Sequence, residues 1–141
     1  MTATVSLSVE RRIAAPPEAV FDAWLDPRGV GQWLFATPGG VMEKIELDPR
    51  VGGRFAVFER RGDALAEHYG EYVELERPHR LVFDFWTSFS DERTRISIDI
   101  AADGDGSHLT LTHEGVWADY EAQTRQGWTM ILDGLARTLT E

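Results

Sequence analysis

With 141 residues, 43% of them hydrophobic and 11% aromatic, the chain can bury a packed core, and its composition excludes an intrinsically disordered tail. Acidic side chains outnumber basic ones 24 to 14, and the resulting formal charge of −10 disfavours both nucleic acid and anionic membrane surfaces as partners. Cysteine is absent, which excludes disulfides, thiolate metal sites and cysteine nucleophiles together.

No apolar run approaches the ~18–20 residues of a spanning helix. The stretch from Met1 to Glu10 lacks the basic start and apolar centre of a signal peptide, so the cytoplasm is the expected location. No repeat, low-complexity segment or linker stands out, and one domain over residues 1–141 is expected.

Val5, Leu7 and Val9 alternate with Ser6, Ser8 and Glu10, which predicts a half-buried first strand running on to Ile13. Ala15-Pro16-Pro17-Glu18 suits a helix entry, and Val20, Phe21, Trp24 and Leu25 give that helix one apolar face. Asp26-Pro27 interrupts it, and Val30 to Phe35 reads as a second short helix before the loop Thr37-Pro38-Gly39-Gly40.

From Met42 to Gly115 the pattern is a meander of about six strands. Met42 to Leu47 is followed by the turn Asp48 to Gly53. Phe55 and Val57 then alternate with Ala56 and Phe58, Arg61-Gly62-Asp63 turns the chain, and a strand runs from about Glu67 to Leu75 until Arg77-Pro78. Leu81, Phe83 and Phe85 share one face, as do Ile96, Ile98 and Ile100, and Asp103-Gly104-Asp105-Gly106 is a strong hairpin signal. In the last strand His113 continues the apolar face of Leu109 and Leu111. From Tyr120 to Leu139 the period turns helical, with Trp128, Leu132, Leu135 and Leu139 on one stripe and Met130 and Ile131 beside it. Helices on one face of an antiparallel sheet make this an α+β architecture.

Several segments, in this order, carry a family resemblance: Ile13-Ala14-Ala15-Pro16 leading to Val20-Phe21-Asp22-Ala23-Trp24, Asp48 to Phe55, Gly70 to Leu75, Arg77 to Phe83, Leu109 to His113, and Gly127-Trp128. The chain resembles the SRPBCC (START and Bet v 1-like) superfamily. Within it, the similarity is to the C-terminal domain of the activator of heat-shock protein 90 ATPase. The resemblance implies a helix-grip fold, a curved sheet of six or seven strands wrapped on a long C-terminal helix. It also implies a cavity between sheet and helix that holds a hydrophobic ligand in many relatives.

Such a site needs apolar and aromatic groups converging with a few polar ones. Trp33, Phe58, Tyr69, Phe85, Trp86, His113, Trp128 and Leu132 are the candidates near the cavity, with core packing as the competing role of each. Phe85 and Trp86 are adjacent in a strand and should point to opposite faces. His113 is the sharpest position, because an inward imidazole needs partners for its nitrogens, whether a structural neighbour or a ligand. His68, next to Tyr69, could meet a carboxylate across the sheet, and is equally consistent with a surface or rim residue. Glu43, Glu46, Glu59, Glu67, Glu71, Glu74 and Asp84 read as a solvated outer face that discourages edge association.

None of His68, His79, His108 and His113 makes a metal-binding helix motif, and no phosphate loop, dinucleotide fingerprint or nucleophile elbow occurs. No cofactor is expected. Gly39-Gly40 and Gly52-Gly53 read as turns, and Gly127 as a point of close helix packing. Three functions follow in order of preference: binding of a small hydrophobic molecule without catalysis, a cochaperone-like module with a chaperone partner and a role in stress response, and an enzyme of cyclase, dehydratase or hydrolase type. A monomer or homodimer is compatible with each.

Overall fold

The computed structural model describes residues 3–88 and 90–140, so the expected domain from 1 to 141 includes four residues, Met1, Thr2, Phe89 and Glu141, that lie outside them. The elements follow the predicted order. They are β1 (Thr4–Ile13), α1 (Pro17–Ala23), β2 (Val41–Leu47), β3 (Arg54–Arg61), β4 (Ala64–Glu76), β5 (Arg80–Thr87), β6 (Ser90–Asp103), β7 (Gly106–Trp117) and α2 (Glu121–Thr140). The second short helix shrinks to one 3-10 turn, Val30–Gln32, and another such turn, Ala118–Tyr120, leads into α2.

All seven strands form one antiparallel sheet in the order β1-β7-β6-β5-β4-β3-β2. The meander from β2 to β7 arises because each apolar run is closed by a turn, three of them with glycine at positive φ, Gly52, Gly62 and Gly104. Register shifts at Val5/Leu7, Met42/Lys44, Tyr72/Glu74 and Phe85/Thr87 bend the strands locally, as bulges do, and curve the sheet. The helices cover one face, with α2 lying mainly across β1. The class is α+β with the helix-grip architecture, as predicted.

Leu7, Ile13, Leu81, Phe83, Ile96, Ile98, Leu109 and Leu111 line the inner face, and Leu132 and Leu135 of α2 close over them, all almost fully buried. Burying a leucine of this kind is worth about 1.5–3 kcal/mol. Met130, read as flanking the apolar stripe, is half exposed instead. The close approach expected at Gly127 occurs about two turns farther along α2, at Gly134. A Cβ at Gly127 would meet nothing within 4 Å, whereas one at Gly134 would stand 3.1 Å from Trp33 Cβ. Trp33 itself packs edge-on against Trp24, with ring centres 4.7 Å apart.

Candidate ligand site

The inner face of β4 carries Ala66, His68, Gly70 and Tyr72, all buried. Tyr69 therefore faces outward, where its ring meets Phe58 at 5.4 Å and stacks on Trp86 at 6.0 Å. Lys44 lies over Phe58, and Arg93 lies over Trp86 at 4.0 Å. Phe58 and Tyr69, expected near the cavity, thus belong to a cation-capped aromatic row on the outer face, together with Trp86. The expectation that Phe85 and Trp86 face opposite ways holds. The misplacement has a simple origin: each alternating set of β4 carries one tyrosine, and it is the set of Ala66, His68, Gly70 and Tyr72 that turns inward, which leaves Tyr69 outside.

Of the other candidates, Phe85, His113 and Trp128 meet between the sheet and α2, Leu132 is fully buried in the core, and Trp33 packs against α2 farther along, at Gly134. Trp128 Nε1 donates to His113 Nδ1 at 3.0 Å, and Thr94 Oγ1 lies 2.8 Å from His113 Nε2. An indole nitrogen can only donate, so Nδ1 is the acceptor and Nε2 carries the proton. Nε2–H donates to the Thr94 hydroxyl, which donates in turn to the Phe85 carbonyl at 3.4 Å. Burial holds the His113 imidazole down at a pKa of about 4, so it is neutral at pH 7.

His68 is neither a surface or rim residue nor hydrogen-bonded to a carboxylate: it is buried on the inner face and its ring meets a backbone carbonyl. Its Nδ1 lies 3.1 Å from the Val57 carbonyl, an acceptor only, so this ring carries its proton on Nδ1, the opposite tautomer to His113. Burial is the main cause that lowers its pKa to about 4, against a smaller raising effect of the Val57 hydrogen bond.

Two further residues were not singled out as site residues in the sequence. Phe35 sits in the left-handed region at φ 58°, rare for a bulky side chain and costing about 1–3 kcal/mol. Its ring lies parallel to His68, 2° between planes with centres 4.1 Å apart, and nearly parallel to Phe85 at 5.3 Å, with Trp128 5.9 Å away. Glu59, read as part of a solvated face, is 1% exposed on the inner side of β3. It accepts hydrogen bonds from the Thr37 amide and hydroxyl, both at 2.8 Å, and from Arg61 at 2.6 Å. Burial opposes its ionisation, but the Arg61 and Thr37 hydrogen bonds outweigh that and hold its carboxyl below the ordinary glutamate value. Arg61 also donates to the Phe35 carbonyl at 3.2 Å. Gly40 is required where it stands, because a Cβ there would fall 2.3 Å from the Glu59 carboxylate. No composition or periodicity signal marks a phenylalanine for positive φ, so Phe35 was legible only as one apolar residue at the end of a helix.

Beside this aromatic cluster lies a cavity of about 280 Å³. Phe85, Thr94, His113 and the buried Val116 line it from the sheet, Trp117, Tyr120 and Thr124 line it where the chain enters α2, and the exposed Glu92 stands at its edge. Tyr120 is 56% exposed, so the mouth presents an aromatic ring to solvent. Among the described residues, no group of three histidine, aspartate or glutamate side chains is placed to hold a metal ion.

An antiparallel sheet gripping a long C-terminal helix, with an apolar cavity opening at the start of that helix, defines the helix-grip class. Residues 14–140 match the family model described as Activator of Hsp90 ATPase homolog 1-like protein, and the chain belongs to that family, within the SRPBCC type. Protein CV1439 from Chromobacterium violaceum has a similar structure, with 26% identity, a TM-score of 0.87, and coverage of 96% of this chain and 98% of that one. CalU16 from Micromonospora echinospora is 25% identical with a TM-score of 0.74, over 97% of this chain and 77% of that one. SA2116 from Staphylococcus aureus shares the fold at 14% identity and a TM-score of 0.87, over 98% and 94%. No curated protein matches the sequence.

Proposed function

We propose that the protein binds a small hydrophobic molecule without transforming it, in the cavity bounded by Phe85, His113, Trp117 and Tyr120. The observation that carries this reading is the cavity itself: about 280 Å³, walled mostly by aromatic and apolar groups, with Thr94 and Thr124 as orienting hydroxyls. Binding is favoured over catalysis because both ring nitrogens of His113 are engaged by fixed partners, and a pKa of about 4 makes it a poor base near neutrality. The test is an NMR titration of the folded protein with fatty acids, sterols, flavonoids and polyketide-like aromatics. Saturable shifts at His113, Trp117 and Trp128 support the reading; no shifts from any class at solubility-limited concentrations remove it.

Family membership favours a second reading, a cochaperone-like module acting on heat-shock protein 90 in a stress response. An unchanged ATPase rate of that chaperone in the presence of excess protein would rule it out. Both readings include action in the cytoplasm, as a monomer or homodimer, checked by cell fractionation and by sedimentation.

A further inference from the structure

The most strained residue in the described backbone is also the one lying on the two inward rings of the sheet. Phe35 is the non-glycine residue at positive φ, and its phenyl ring is parallel to within 17° of both His68 and Phe85. Those two rings lie on neighbouring strands and are themselves within 15° of parallel, so the sheet presents a flat aromatic floor. Phe35 does not come from the sheet. It comes from the loop after the Val30–Gln32 turn, and the loop is fastened down by contacts at its edge: Arg61 on the Phe35 carbonyl, and Glu59 on both the amide and the hydroxyl of Thr37.

The floor and the cavity have Phe85 in common. One side of its ring environment is the Phe35 stack, and the other is the wall next to His113 and Thr94. A flat group in place of the Phe35 ring would lie against Phe85, at the edge of the cavity, and reach His68.

We propose that the His68–Phe85 floor is a binding site for a flat, uncharged aromatic group, and that Phe35 is the chain's own occupant of it, displaced when such a ligand enters through the mouth. The proposal rests on the ligand-binding reading above and names the ligand class and the moving part. Flatness follows from the near-parallel rings, which match an aromatic face and not a branched aliphatic one. The lack of charge follows from burial: a ligand charge set here would be desolvated, and the adjacent carboxylate of Glu59 is already committed to Arg61 and Thr37. Displacement relieves the left-handed backbone at Phe35, with Gly39 at φ 81° and Gly40 behind it as the pivot. The Glu59–Thr37 contacts act as a latch on the closed state, so weakening them should tighten binding although neither residue touches the ligand.

The test uses 2-naphthol as probe, titrated by calorimetry and NMR into the wild-type chain, Thr37→Val and Phe35→Ala. Thr37→Val removes one hydrogen bond to the carboxylate and is expected to tighten 2-naphthol binding roughly tenfold, with naphthol contacts to the His68 and Phe85 rings and a large shift of the Phe35 ring. Phe35→Ala is expected to tighten it as well. Should Phe35→Ala alone gain affinity, the truncation has merely made a hole, and the latch and displacement are overturned. Equal affinity in all three proteins, with shifts confined to Trp117 and Tyr120, places the ligand in the mouth, overturning the proposal while the ligand-binding reading stands. Absence of 2-naphthol binding to all three overturns the aromatic site, and the wider ligand panel then decides the ligand-binding reading separately.

Discussion

Trp128 of α2 donates its indole N–H to His113 Nδ1 of β7 at 3.0 Å, and this bond fixes how the helix sits on the sheet at the cavity wall. It also selects the imidazole tautomer that reaches Thr94 on β6, so one indole orients a chain of groups across three elements. Trp128→Phe keeps most of the apolar contact but leaves the buried Nδ1 without its donor. The expected loss is about 1–3 kcal/mol of unfolding free energy in urea, with a changed His113 ring nitrogen spectrum. An unchanged midpoint would mean that the bond contributes nothing net.

Two buried imidazoles give the protein a defined response to acid. His68 and His113 have folded pKa values of about 4 against an ordinary value of 6.5. Below pH 6.5 the unfolded chain takes up protons that the folded one refuses, so stability present above 6.5 is lost as the pH falls through 4. The loss is up to about 3 kcal/mol per ring. Urea unfolding at intervals between pH 7.5 and 4 should show this decline, and ring nitrogen shifts should show both imidazoles still neutral at pH 5.5. A ring titrating near 6.5 would contradict the burial argument for that residue.

The fold was legible because its signals are redundant. Period-two alternation in β1, β6 and β7, the glycine turns at Gly62 and Gly104, and the helical stripe through Trp128, Leu132 and Leu135 each point to the same arrangement. The site was legible only in part. Phe85, His113 and Trp128 lie in elements whose apolar phase is unambiguous, and they do meet. On β4 both alternating sets mix polar and aromatic residues, so pattern alone does not decide whether His68 or Tyr69 turns inward. Glu59 looks like any strand carboxylate until the partners at Thr37 and Arg61, brought in by tertiary structure, make its burial tolerable.

Two glycines separate backbone propensity from packing. Gly127 lies inside α2 with open space where a Cβ would go, so Gly127→Ala should stabilise the protein by about 1 kcal/mol, read as a higher Tm. Gly70 faces inward under the Phe55 ring, and its Cβ would fall 1.9 Å from a ring carbon. Gly70→Ala must push that ring away, which is expected to cost about 1–3 kcal/mol or more. A stabilising Gly70→Ala would show that Phe55 relaxes freely.

Phe85 and Trp86 are neighbours in sequence with opposite environments, and they offer the cleanest control for any ligand found. Phe85 packs inward between Phe35 and His113. Trp86 also borders the cavity, but its indole is stacked on Tyr69 beneath Arg93 in the outer aromatic row. Phe85→Ala should weaken binding of a cavity ligand by about tenfold or more, the loss of roughly 1.4 kcal/mol of contact. Trp86→Ala should change the affinity by less than about twofold, since the ring it removes contacts other side chains on the outer face. Calorimetry on both variants, with circular dichroism to establish folding, reads the comparison. Were Trp86→Ala the more damaging of the two, the ligand would be bound on the outer aromatic row, and the assignment of the site to the inner face would be wrong.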